Sequence, residues 1–280
     1  MMVVRHLDRI EPVGRPRVVA SGRFDGVHRG HQRVLGRLAA LARGRRAEAV
    51  VALRYRPDRA RALTNLRQRL TLLSEWGVDG VVLLGRRDPT DDAIVAERLA
   101  AAVLVTGGDA RSFAGGDVER VEQVTNGDQP LAAAAVREWL AAGDLPAVER
   151  ALGRCHAVEG PVVHGFHRGA ALGIPTANLR ADHLALPPDG VYAVRAQRRG
   201  VRIDGVANIG RNPTFGNAAR SVETHLFDFS GDLYGERLEV AFVARLRGEQ
   251  KFSGVDALVA QIRADIAAAR TVLATHGDGR

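Results

Sequence analysis

The chain has 280 residues with ordinary globular content, 46% hydrophobic, 26% charged, with 31 Gly and 11 Pro, a length that fits two domains better than one. Net charge is +8, yet of the 40 basic residues only Lys251 is lysine, so no G-x-x-x-x-G-K-[ST] loop precedes it and a P-loop NTPase is excluded. The single cysteine, Cys155, excludes an internal disulfide and any Cys-cluster zinc or iron–sulfur site, and suits a reducing compartment.

Strand and helix patterns alternate through the first half. Arg17–Gly22 (RVVASG) reads as a short buried strand and Arg33–Arg43 as an amphipathic helix. Ala47–Leu53 is a second strand, Leu66–Trp76 a second helix and Gly80–Leu84 a third strand. A helix near Ala93–Ala101 and a strand at Ala102–Thr106 follow. This alternation predicts a parallel sheet wrapped by helices. Leu131–Ala142 and Pro146–Leu152 read as two closing helices.

The pattern changes near Arg154. Five short β-rich segments, AVEGPVV, GVYAVRAQ, VRIDGVANIG, VETHLFDF and LEVAFVARL, lie between Ala157 and Leu246, separated by Gly, Pro, Asn and Asp. That predicts a compact antiparallel barrel or sandwich, closed by an Ala-rich helix over Gly254–Leu273. The expected domains are 1–152 and 153–280.

Between Arg33 and Arg69 eleven arginines face two acids, Glu48 and Asp58. Tyr55 is the only aromatic residue in that run, so a stacking platform for single-stranded nucleic acid is not supported. A solvated Arg-rich face is the simpler reading. No apolar run approaches the roughly 18–20 residues of a membrane span. The N-terminus lacks the order of a signal peptide, so the expected location is cytoplasmic, without a membrane partner.

Two constellations carry chemistry. The first, GRFDGVHRGH (Gly22–His31), follows the first strand and opens a helix with His28, Gly30 and His31. Strand ends and helix N-termini accept phosphate, and the two imidazoles, one turn apart, can both face it. Gly30 lets the backbone approach, and the pair suits positioning and electrostatic stabilisation of an in-line displacement, as in nucleotidyltransferases. The second comprises HGFHRGAALGIPTAN (His164–Asn178), GVANIGRNPTF (Gly205–Phe215), VETHLFDF (Val222–Phe229), GDLYG (Gly231–Gly235) and LRGEQKF (Leu246–Phe252). Thr176 and Asn178 are hard oxygen donors two residues apart, so on an extended strand both can reach one Mg²⁺. Glu223 suits a general base for a hydroxyl attacking a phosphoryl group.

Together these motifs resemble the bacterial bifunctional riboflavin kinase/FMN adenylyltransferase (FAD synthetase) family across nearly the whole chain. The resemblance implies an α/β protein: a Rossmann-like nucleotidyltransferase domain, then a riboflavin-kinase-type antiparallel β-barrel with a terminal helix. It implies riboflavin, FMN and ATP as ligands and Mg²⁺ as cofactor. In the kinase part, Thr176 and Asn178 would carry Mg·ATP and Glu223 would act on the ribityl 5′-hydroxyl. The loop from Gly165 through Gly169 to Gly173, with Pro175 and Asn208, would contact nucleotide or substrate, and Arg247–Phe252 would form a flap over the isoalloxazine. In the first domain His28 and His31 would be catalytic, and Gly22, Phe24, Asp25, Gly26, Gly30, Asp109 and Arg137 would bind nucleotide.

The sequence departs from the family pattern in places. Ala170 replaces an Arg of the kinase loop, Arg23 an Asn, and Arg56-Pro57 a His-Pro. GGDARSF keeps Gly107 and Asp109 of a G-E-D-F-x-F-G segment. The I-S-S-T-x-I-R motif reads LAAAAVR (Leu131–Arg137), so three hydroxyls become Ala132, Ala133 and Ala134 while Arg137 survives. Each lost charge-assisted hydrogen bond removes about 1.5–3 kcal/mol, which predicts weakened adenylyl transfer beside a working kinase. A monofunctional kinase with a vestigial first domain, and a flavin-binding regulator, are the alternative readings.

Overall fold

In a computed structural model of the chain, the apolar runs of the first half line up as parallel strands of one sheet. The structure describes residues 1–9, 14–55, 61–108, 112–165, 173–181, 183–211 and 220–277. Packing divides the chain into two units, Met1–Ala60 with Leu66–Ala133 and Arg61–Asn65 with Ala134–Arg280.

The first unit contains, in chain order, β1 (Met2–Arg5), β2 (Arg17–Gly22), α1 (Arg29–Arg45), β3 (Glu48–Arg54), α2 (Leu66–Glu75), β4 (Gly80–Leu84), α3 (Asp92–Arg98), β5 (Ala101–Thr106) and β6 (Asp117–Arg120). The sheet order is β1-β4-β3-β2-β5-β6, parallel throughout. Its central strands are apolar on both sides because both faces are covered. Val18, Ala20 and Val51 pack with Leu35 and Leu38 of α1. Val19, Val50 and Ala52 pack with Val95 and Ala96 of α3. Chain order runs outward from β2 through β3 and β4, then returns to the other side at β5, so the topological switch lies between β2 and β5. Ligands of doubly wound sheets bind at the C-terminal ends of such a strand pair, here Gly22 and Thr106.

Three of the eleven arginines pair with acids across this packing. Arg45, Arg37 and Arg33 of α1 reach Asp117, Glu119 and Glu122 at 3.3, 2.8 and 2.8 Å. The helix positions, four and eight residues apart, share one face of α1, and their partners lie on β6 and just beyond it, giving exposed pairs worth little individually. Edge strands β1 and β6 escape the pattern reading because MVVR and DVER are short and largely exposed. A small hairpin, β7 (Thr125–Asn126) with β8 (Gln129–Pro130), also went unread.

The second unit contains α4 (Ala133–Ala142), α5 (Leu145–Leu152), β9 (His156–Val163), β10 (Ala177–Leu179), β11 (Gly190–Arg198), β12 (Val201–Arg211), β13 (Arg220–Leu226), β14 (Arg237–Arg247) and α6 (Val255–Thr275). The six strands close as β10-β13-β12-β11-β14-β9. All six neighbouring pairs of this ring are antiparallel. Tyr192 and Phe242, both fully buried, meet edge-on with ring centroids 5.5 Å apart. On another face, Val191, Ala193, Val206 and Val243 pack with Ala269 and Leu273 of α6.

α5 is capped by Asp144, whose carboxylate accepts from the Ala147 amide at 3.0 Å. Its buried face, Leu145, Val148, Ala151 and Leu152, covers β9 and β14. An amphipathic helix follows the surface that buries its apolar stripe. Packing therefore divides at Ala133/Ala134, ahead of the 152/153 boundary expected from the change of pattern. Among the described residues no helix is long and apolar enough to cross a membrane.

Candidate active sites

At the end of β2 the backbone turns through three left-handed residues, Phe24 (φ 47°), Gly26 (φ 74°) and Val27 (φ 42°). Such a conformation costs about 1–3 kcal/mol at each non-glycine position unless the surroundings impose it. Here they do. Phe24 and Val27 are buried, the Gln32 amide donates to the Val27 carbonyl at 2.9 Å, and the Asp25 carboxylate takes a 2.7 Å bond from buried Arg69. Arg69 also donates to the Arg23 carbonyl at 2.9 Å. The bend delivers His28 to the N-cap of α1 and His31 to its first turn.

The two imidazoles stack with centroids 3.7 Å apart, and Phe24 lies 5.0 Å from His31. Burial lowers His28 from 6.5 to about 4, with Asp25 opposing. Burial lowers His31 well below 6.5, aided by the His28 and Arg69 charges. Both rings are neutral at physiological pH, and both Nδ1 atoms are buried without a hydrogen-bond partner among the described residues. A Cβ on Gly30 would stand 3.2 Å from the His28 ring and 3.6 Å from the Leu131 carbonyl, so a side chain here would crowd the His28 ring. One on Gly22 would stand 3.2 Å from the Phe24 ring.

Gly22, Phe24, Gly26, Gly30, His28 and His31 thus converge at the switch point. Asp25 is there too, but its side chain is only 8% exposed and is held by Arg69, so it braces the bend. Arg137 lies on α4 in the other unit, donating to the Arg61 carbonyl at 3.2 Å. Asp109 lies outside the described residues, as do Gly169 and Ala170 of the kinase loop and the Arg56-Pro57 pair.

In the barrel, the register assembles the second site. Asn178 pairs directly with Glu223, Glu223 with Asn208, Asn208 with Val191 and Val191 with Arg247. Directly opposed residues of antiparallel strands project from one face with Cβ atoms about 4.5–5.5 Å apart. Val191 packs against α6, so Asn178, Glu223 and Asn208 form a polar row on the outer, helix-bearing face. Asn178 is buried, Glu223 half-buried and Asn208 exposed.

Asn178 lies across Gly165, where a Cβ would come within 2.4 Å of its Nδ2. Its Oδ1 is buried and has no hydrogen-bond partner among the described residues. A carbonyl oxygen left orphaned inside a protein costs about 1–3 kcal/mol. An oxygen-seeking cation is a natural partner for it, and the donor set fits Mg²⁺, which takes few protein oxygens and keeps several waters. Thr176, half-buried, stands two residues before Asn178 on the approach to β10, with Pro175 and Gly173 exposed ahead of it. The Pro175 carbonyl lies 2.8 Å from His225 Nδ1, fixing this approach against β13.

The Arg247–Phe252 stretch has a more structural part. Arg247 makes a three-contact ion pair with Asp265 of α6 at 2.8–3.0 Å, and its guanidinium lies 5.7 Å from the Phe252 ring centroid. Arg247 is therefore committed to protein, and what it positions is Phe252. Motif reading did not single out Glu249. A Cβ on Gly210 would stand 2.9 Å from Glu249 Oε1 and 3.4 Å from Asn208 Nδ2, so this carboxylate flanks the polar row. Nor did it find Arg69, far from Asp25 in sequence and with no local pattern to mark it.

Comparison with known proteins adds to this geometry. The family profile described as riboflavin kinase matches residues 152–273, and that described as FAD synthetase matches residues 11–131. A bifunctional riboflavin kinase/FMN adenylyltransferase of Pseudomonas fluorescens is 35% identical over 98% of each chain. The protein of that description from Escherichia coli (strain K12) is 35% identical over 90% of this chain and 91% of its own. Among solved structures, one described as a macrolide-efflux protein from Streptococcus pneumoniae superimposes with TM-score 0.82 at 28% identity, covering 96% of this chain and 99% of its own.

Proposed function

The chain belongs to the bifunctional riboflavin kinase/FMN adenylyltransferase family, and from that premise we propose a division of labour in which the barrel is a competent riboflavin kinase and the parallel-sheet unit a weakened FMN adenylyltransferase. The observation that carries the kinase assignment is the row Asn178–Glu223–Asn208 with its orphaned Asn178 Oδ1. Thr176 and Asn178 would hold Mg²⁺ through their side-chain oxygens. When bound, Mg²⁺ offsets charge on the phosphates of ATP. Glu223 accepts the proton of the ribityl 5′-hydroxyl as that oxygen attacks the γ-phosphoryl group. Asn208 and Glu249 flank it and hold the sugar-alcohol chain in register. Phe252, steadied by Arg247, covers the ring system.

In the first unit the stacked, neutral histidines donate hydrogen bonds to phosphate oxygens that gain charge during adenylyl transfer. Burial supports this role, because it keeps the dipoles fixed and the site dry. Ala132, Ala133 and Ala134 support the weakening, since a methyl group replaces each hydroxyl of the related motif. Two or three such losses at about 1.4 kcal/mol per decade amount to roughly 10³-fold.

Incubation with riboflavin, ATP and Mg²⁺, with products resolved by chromatography, tests the division. FMN should accumulate early and FAD trail far behind. FAD keeping pace with FMN would overturn the weakened transferase. Failure to adenylate supplied FMN at all would make the first unit vestigial, a reading that the three alanines also favour.

A further inference from the structure

Away from the polar row of the barrel, three chemically different donors converge where the terminal helix meets the start of the barrel. Glu149 lies on α5, Cys155 in the turn between α5 and β9, and His276 at the end of α6. His276 Nε2 is 3.3 Å from Glu149 Oε1 and 3.7 Å from Cys155 Sγ. All three donor atoms lie within 4.8 Å of one another. We propose that Glu149, Cys155 and His276 form a site for a d-block divalent cation of the Zn²⁺ class, distinct from the Mg²⁺-dependent chemistry and independent of the function proposed above.

The distances carry the argument. For tetrahedral Zn²⁺ with Zn–S about 2.3 Å and Zn–N and Zn–O about 2.0 Å, the S···N edge is about 3.6 Å and the N···O edge about 3.3 Å. The observed separations, 3.7 and 3.3 Å, match these two edges, and the third pair lies within 4.8 Å. Thiolate, imidazole and carboxylate together select Zn²⁺ or Co²⁺ over Mg²⁺ or Ca²⁺, which prefer oxygen alone. One cysteine excludes a thiolate cluster but not this mixed set. All three residues are partly accessible, so an ion can enter and a water can complete the fourth position.

The backbone that carries the donors is held in place. Arg195 donates to the carbonyls of Leu273 at 2.9 Å, His276 at 2.6 Å and Gly277 at 3.0 Å, locking the segment that carries the imidazole. The amide of Gly153, itself left-handed, donates to the Glu149 carbonyl at 2.7 Å and turns the chain so that Cys155 faces back towards Glu149. The cluster sits before β9, whose other end pairs with Asn178, about 25 Å of strand away. A bound ion therefore clasps the last turn of α6 to α5 and leaves the phosphoryl-transfer row untouched.

The competing explanation is a plain hydrogen-bonded trio of thiol, carboxylate and imidazole. Co²⁺ titration of the untagged, metal-stripped full-length protein separates the two. With one cysteine in the chain, a near-ultraviolet thiolate-to-cobalt charge-transfer band reports Cys155 alone. The expected result is a band saturating at one ion per chain and displaced by Zn²⁺. It should be absent in Cys155→Ser, and at least 10-fold weaker in affinity for Glu149→Gln and His276→Asn. Zn²⁺ should raise the unfolding temperature of the wild type by several degrees and that of Cys155→Ser by less than one. Cys155→Ser should keep wild-type FMN formation with Mg²⁺, which also establishes that it folds. No charge-transfer band at stoichiometric Co²⁺, or equal affinity in wild type and Cys155→Ser, overturns the proposal.

Discussion

His28 and His31 make the first unit acid-sensitive in a definable window. In the unfolded chain each ring takes a proton near pH 6.5, whereas folded His28 does so only near 4 and His31 well below 6.5. The unfolded state binds more protons between those values, so stability is full above pH 6.5 and is lost as pH falls towards 4. His28 alone is worth about 3 kcal/mol over that range at 1.36 kcal/mol per pH unit. His28→Asn should flatten the acid limb of the melting temperature between pH 6.5 and 4.5, and an unchanged limb would refute the burial argument. Cys155 shows the opposite displacement. Burial and the Glu149 charge push its thiol from 9.0 up to about 11, leaving about 10²-fold less thiolate near neutrality. Iodoacetamide should label it at least that much more slowly than a free thiol at pH 7.5, in metal-free protein; labelling at the free-thiol rate would contradict the packing around it.

The strand-and-loop element around Asn178 depends on what Gly165 lacks. Alanine there would place a methyl carbon 2.4 Å from Asn178 Nδ2, a distance no side chain tolerates. Asn178 must swing off its place in the polar row. Gly165→Ala should cut the kinase rate by at least 10-fold and raise the Mg²⁺ concentration needed for half-maximal turnover, with little change in circular dichroism. Normal Mg²⁺ dependence would remove Asn178 from the metal site. α6 is held by a comparable device, the Arg247–Asp265 pair, whose side chains are only 16% and 7% exposed. Removing one partner strands a buried charge at about 3–5 kcal/mol. Arg247→Ala should therefore lower the melting temperature and raise the KM for riboflavin, through Phe252, more than it lowers kcat. A pure kcat effect would instead make Arg247 a substrate contact.

Two units with separate chemistries should be separable by mutation. Glu223→Gln should reduce FMN formation by about 10²–10⁴-fold and leave conversion of supplied FMN to FAD as it was. His31→Asn should do the reverse; loss of both activities from either change would refute the two-site division. Much of this architecture was readable in advance because it rests on periodicity. The buried strands β2 to β5, the helices α1 and α2 and the five long barrel strands all carry their apolar spacing openly. β1 and β6 did not, since edge strands bury too little to enforce a pattern. Local motifs marked the residues proposed for the two sites: His28, His31, Thr176, Asn178 and Glu223. Their grouping depended on register, and Arg69 on Asp25, Glu249 beside Asn208, and Cys155 against His276 come together across separations that no local pattern marks.

The polar row also constrains how this barrel can change over evolutionary time. Successive side chains of a strand alternate between the two faces, so inserting or deleting one residue in β13 would turn Glu223 inward and bring apolar neighbours outward. In an open sheet an edge strand could slide to absorb that error. A closed ring has no free edge, and the slip would be handed on to β10 and β12, carrying Asn178 and Asn208 out of alignment together. Length variation among descendants of this chain should therefore collect in the connections between strands, while β10, β12 and β13 keep a fixed residue count.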